Sequence, residues 1–139
     1  MKKLFALSLS LLMMVSCSSA QKEIQVGALS FDEYLPLLEG KRVSILSNQT
    51  GMVSSTTHLL DTLLDMGVNV VSIMSPEHGF RGVADAGEHV SSSIDPDTGI
   101  PIRSLYESGV NRPSDESMAE FDVMVFDLQD VGVRFYTYN

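Results

Sequence analysis

Basic residues are scarce in this chain of 139 residues: nine Lys and Arg stand against eighteen Asp and Glu, for a formal net charge of -9. No run of them is longer than Lys2-Lys3 or Lys41-Arg42. The clustered cations that a phosphate backbone requires are therefore missing, and nucleic acid is excluded as a partner. Cysteine is scarcer still. Cys17 is the only one, which rules out an internal disulfide. Three chemical motifs are absent as well. The turn Ser47-Asn48-Gln49-Thr50-Gly51 contains neither Gly-x-Gly-x-x-Gly nor a phosphate-loop Lys, which argues against a nucleotide. No Gly-x-Ser-x-Gly occurs, so there is no nucleophile elbow. No His-x-x-x-His occurs either, and the pairs Glu77-His78 and Glu88-His89 alone invite a metal reading. Internal repeats are also lacking.

What is present is 44% apolar and 19% charged, a balance that folds and is not disordered. The amino terminus is a targeting segment. Lys2-Lys3 precedes the apolar stretch from Leu4 to Val15, which is too short to span a bilayer comfortably. Met14-Val15-Ser16-Cys17 then resembles the lipobox of bacterial lipoproteins, whose Cys becomes the lipid-modified first residue. Residues 1–16 are thus expected to be excised as a signal peptide, 17–25 to act as a tether, and 26–139 to form the folded body. Acyl chains on Cys17 imply an exported protein held on the periplasmic or cell-surface face of a membrane.

The remainder alternates strand and helix signals, which predicts an α/β fold with a mostly parallel sheet flanked by helices. Ser30 to Gly40 reads as a short first helix, with a capping residue, acids in the first turn and a terminal glycine, and with Pro36 set against its continuation. Arg42 to Ser47 is a strand. Residues 55–67 place leucines at helical spacing, with His58 expected at the surface of the first turn. Val70 to Ser75 is a second strand, parallel to the first because a helix joins them. The polar stretch from Val83 to Gly99 is long enough to be a binding loop or lid. Ile100 to Tyr106 suits an edge strand, Pro113 to Glu120 a weak helix, and Phe121 to Leu128 a buried strand. Val133 to Tyr138 would leave an aromatic edge uncovered, so the chain is expected to be part of a longer protein.

Chemistry is expected where the strands end. After Ser75-Pro76 come Glu77, His78 and Arg81, set among Gly79 and Gly82, at the carboxyl end of a strand where open α/β sheets place their ligands. Parallel strands bring Asn48 and Gln49, then Glu77 and His78, then Asp127, Gln129, Asp130 and Arg134 to one rim. A carboxylate beside an imidazole suits general acid-base work, and the surrounding amides and carboxylates suit a ligand rich in hydroxyl groups. A structural Asp127–Arg134 pair is the plain alternative.

Three segments in order, Ser47 to Gly51, Ser75 to Gly82 and Asp127 to Tyr138, together resemble the exo-β-N-acetylmuramidase family, long catalogued as a domain of unknown function. The likeness covers nearly all of residues 24–139. It implies a Rossmann-like domain followed by a second, carboxyl-terminal domain, with a cleft that accepts terminal N-acetylmuramic acid from the non-reducing end of peptidoglycan fragments. The family's proposed catalytic glutamate falls in Pro-Glu-His-Gly, here Glu77, with His78 beside it. Asn48, Gln49, Arg81, Asp127, Gln129, Asp130, Arg134 and Tyr136 are the expected substrate-binding residues. The expected partners are muropeptides or disaccharides, and no cofactor is implied. A non-catalytic sugar-binding lipoprotein, or an inactive truncated fragment, is the rival reading, and a metal-dependent hydrolase is the third.

Overall fold

A computed structural model of the chain describes residues 24–76, 79–82, 91–105, 112–129 and 132. A turn of 3-10 helix at Gly27–Leu29 leads into α1 (Phe31–Leu38), followed by β1 (Val43–Ser47), α2 (Leu59–Asp65), β2 (Val70–Ser75), β3 (Ser93–Ile94), β4 (Pro101–Ser104), α3 (Asp115–Ala119) and β5 (Val123–Asp127). The sheet runs in the order β3-β4-β2-β1-β5. Strands β4, β2, β1 and β5 are parallel, and β3 alone is antiparallel. The expected α/β class with a mostly parallel sheet is thus present.

Strand β1 is buried along its whole length, as a central parallel strand must be when both faces are covered. Leu59, Leu60 and Leu63 of α2 bury their face against it, with Ile45, Ile73 and Ile102 from three strands. Each such side chain contributes about 1.5–3 kcal/mol of burial. Serines complete the interior. Ser44 and Ser72 are both fully buried, and the Ser72 hydroxyl donates to Ser44 Oγ at 3.0 Å while Ser44 donates to the Ser72 carbonyl at 3.3 Å. Their hydroxyls therefore satisfy one another where a lone one would be orphaned.

Several local expectations are corrected. Ser30 makes no side-chain capping bond, and α1 continues through Pro36 to Leu38. Pro36 lies in the final turns, so its missing N–H costs the helix little length before Gly40, at φ 68°, turns the chain. Strand β5, read as buried, is the outermost strand on its side among the described residues and only partly covered, with Phe126 half exposed. Its amino end is fixed by Arg42, which donates from Nη2 to Asp122 Oδ1 at 2.8 Å and from its backbone N–H to Oδ2 at 2.9 Å. Those bonds lower the Asp122 carboxyl to about 2. The polar stretch after residue 90 is partly ordered as β3 and a turn into β4, while residues 83–90 lie outside the described residues.

Candidate functional site

From β1 the chain goes to β2 and then β4 on one side, whereas β5 lies on the other. The sheet therefore has a topological switch point between β1 and β5, the place where a doubly wound sheet opens a crevice at its carboxyl edge. Ser47 and Asp127 are register partners at that edge.

The segment after β1 is compact. Asn48 Oδ1 accepts from the Thr50 N–H at 2.9 Å and the Thr50 hydroxyl at 2.7 Å, a side-chain-closed turn. Gly51 then passes so close to the sheet that a Cβ there would collide with Ser47 Oγ, and would stand 2.8 Å from Asp127 Oδ2 and 2.9 Å from His58 Nε2. Glycine is required by this approach of backbone to three polar side chains.

His58, expected at the surface, is buried. It caps α2: the Leu60 N–H donates to its Nδ1 at 3.1 Å. A backbone N–H can only donate, so Nδ1 is the acceptor and the proton sits on Nε2. Nε2–H accordingly donates to the Asn48 carbonyl at 2.9 Å and has Ser47 Oγ at 3.5 Å. The imidazole also packs against Phe80 in a T-shaped arrangement, centroid to centroid at 4.8 Å and 74°. Only the polar residues before the leucine repeat hinted at a cap, and nothing in the sequence signalled burial.

Asp127 is the charged member of this cluster. Its Oδ2 is buried and has no hydrogen-bond partner among the described residues. Burial raises the carboxyl above its ordinary value, with nearby His58 pulling the other way. Such a group takes up a proton more readily than an exposed aspartate, and once protonated it can donate to a ligand oxygen. Tyr34, whose hydroxyl donates to the Ala28 carbonyl at 2.7 Å, walls a cleft of about 290 Å³ with Leu59, Val125 and Asp127. A raised folded-state carboxyl favours folding below its unfolded pKa, and that contribution is lost as pH rises through the folded value. Asp127→Asn is therefore expected to be more stable than wild type near pH 7, by on the order of 1 kcal/mol. The difference should disappear in acid. Urea unfolding at both pH values checks this, and equal destabilisation at both would refute it.

Arg81 is anchored. Its Nε and Nη2 donate to Asp95 at 3.0 and 2.9 Å, and its guanidinium lies over the Phe80 ring at 4.9 Å. Gln49 packs on Gly82, where a Cβ would meet the Gln49 side chain at 2.7 Å. The segments after β1 and β2 thus touch on the rim. Gln129 follows the end of β5 and is exposed. Glu77, His78, Asp130, Arg134, Tyr136 and Cys17 lie outside the described residues, as do Glu88 and His89. Pro76, the residue before Glu77, is buried at the end of β2.

Sheet order and rim define an α/β domain of the doubly wound kind, with polar and acidic groups gathered at its switch point. Residues 43–139 match the family described as exo-β-N-acetylmuramidase NamZ, N-terminal, and the chain belongs to that family. It is 40% identical over 107 residues to the peptidoglycan β-N-acetylmuramidase NamZ of Bacillus subtilis (strain 168), covering 76% of this chain and 26% of that protein. Two solved structures of DUF1343 family proteins from Bacteroides fragilis share its fold. One has 47% identity and a TM-score of 0.68 over 84% of this chain and 28% of its own. The other has 36% identity and a TM-score of 0.66 over 77% and 26%. The chain thus spans about a quarter of the length of these relatives.

Proposed function

We propose that this chain supplies the catalytic rim of a glycosidase that releases terminal N-acetylmuramic acid from the non-reducing end of peptidoglycan fragments, in a longer protein with a second domain. The observation that carries the reading is the convergence at the switch point. A carboxyl raised by burial, Asp127, stands beside the Asn48 turn, on the edge at which β2 ends in buried Pro76. Family membership and the activity named for the Bacillus subtilis relative support it.

In this reading Glu77 protonates the leaving glycosidic oxygen or orients its attacker, and His78 tunes that charge. Asn48, Gln49, Asp127, Gln129 and Asp130 hydrogen-bond sugar hydroxyls or the acetamido group. Arg134 balances the Glu77 charge or holds the lactyl carboxylate, and Tyr136 and Arg81 complete the subsite, Arg81 with the guanidinium edge not turned to Asp95. Cys17 carries the lipid that keeps the exported protein on a membrane surface. The full-length protein is expected to release N-acetylmuramic acid from a synthetic muramyl glycoside, as followed by chromatography. Muropeptide binding with no release would establish the sugar-binding alternative instead.

A further inference from the structure

We infer that His58 is a positioning residue that holds the strand-end segments of the rim in one arrangement. The kinetic part of this inference rests on the glycosidase reading; the structural part does not. A helix cap needs one acceptor, and Nδ1 supplies it to Leu60. Everything else the ring does is directed at the rim. Nε2–H donates to the Asn48 carbonyl, which also accepts the Gly51 N–H at 3.1 Å. That nitrogen and Asp127 Oδ2 both lie within 2.9 Å of the point that a Gly51 Cβ would occupy. The ring packs against Phe80, next to Arg81 and Gly82, and Gly82 is packed by Gln49. One buried side chain therefore touches the segments that follow β1 and β2 and lies beside the carboxyl that ends β5. Its backbone is tied to that same segment after β1, where the Leu59 N–H donates to the Gly51 carbonyl at 2.8 Å and Met52 bridges to His58. Helix α2, rooted in the core by Leu59, Leu60 and Leu63, thus transmits the rigidity of the sheet to polar groups that no strand holds directly. Placement of this kind governs rate, since a shift of about 1 Å costs on the order of 100-fold.

Two variants of the full-length protein separate the cap from the tie. In His58→Asn the side-chain oxygen takes the place of Nδ1, so the cap is kept and the bond to the Asn48 carbonyl is lost. In His58→Gln the longer amide presents a donor where Nε2 stood, so the tie is kept and the cap is lost. His58→Asn is expected to be no less stable than His58→Gln, yet to lose about 100-fold in kcat on the muramyl glycoside with KM little changed. Its Thr50, Gly51 and Gly82 amides should exchange roughly tenfold faster, the equivalent of one hydrogen bond. His58→Gln should show the reverse: a lower unfolding temperature, with kcat and those exchange rates close to wild type. Activity that follows stability in both variants, or unchanged exchange in His58→Asn, overturns the inference. If the wild-type protein itself releases no sugar, the glycosidase reading fails, and the exchange rates still decide whether His58 holds the rim.

Discussion

Asp95→Ala will lower the unfolding free energy by about 3 kcal/mol at neutral pH, the size expected when one partner of a buried ion pair is removed. Asp95 is fully buried and Arg81 mostly so. Two guanidinium bonds and the Thr98 hydroxyl, at 2.7 Å, satisfy the carboxylate. Its backbone closes the turn into β4: the Asp95 N–H donates to the Ile100 carbonyl at 2.9 Å and the Gly99 N–H donates to the Asp95 carbonyl at 2.8 Å. Truncation leaves Arg81 facing a gap between Phe80 and Thr98, with exposed Asp97, 3.4 Å away, as its remaining ion-pair partner among the described residues. An exposed partner of that kind compensates little. The pH dependence identifies the cause. Burial alone would raise the Asp95 carboxyl, but the bonds from Arg81 and Thr98 outweigh it and the net shift is downward. Stability from such a group is complete above the unfolded carboxylate value of about 3.9 and is lost as pH falls through the lower folded value. Urea titrations should therefore find wild type and variant far apart at pH 7 and converging in acid, as pH falls through the lowered Asp95 value. A constant gap across that range would mean that lost packing, and not the ion pair, sets the cost.

Glu77→Gln in the full-length protein is expected to reduce kcat on the muramyl glycoside by 100-fold or more, within the range of about 10²–10⁴ that general acid-base groups supply. Glutamine keeps the size and the hydrogen bonding of the side chain but can neither give nor take the proton. KM should change little, and the unfolding temperature should stay near that of wild type. The comparison with Asp127→Asn is instructive. That variant is expected to gain stability because it removes a charge that burial disfavours, whereas Glu77→Gln tests chemistry with no stability gain foreseen. A carboxyl whose buried Oδ2 has no partner among the described residues is the kind of local cost that functional sites carry. Undiminished release of N-acetylmuramic acid by Glu77→Gln would remove Glu77 from the mechanism and leave Asp127 as the principal acid on the rim.

The first strand, the helix and the second strand were legible in the chain because their signals are local. Val43, Ile45 and Leu46 form an apolar run, the leucines from Leu59 to Leu64 recur at helical spacing, and Val70 to Met74 is apolar again before Pro76. A helix between two such strands makes them parallel neighbours, so a shared rim for Asn48, Gln49 and Pro76 followed from connectivity alone. Sequence order could not say on which side of β1 the last strand would lie. That choice, made by long-range packing, puts Asp127 opposite Ser47 and creates the switch point. Nor could it foresee that His58 is buried, that Gly51 passes against three polar side chains, or that Arg81 is tied to Asp95 across fourteen residues. Periodicity reports which face of an element is apolar. Partners distant along the chain become neighbours only when the sheet closes around its core, and for that reason tertiary structure alone decided how these polar groups are shared.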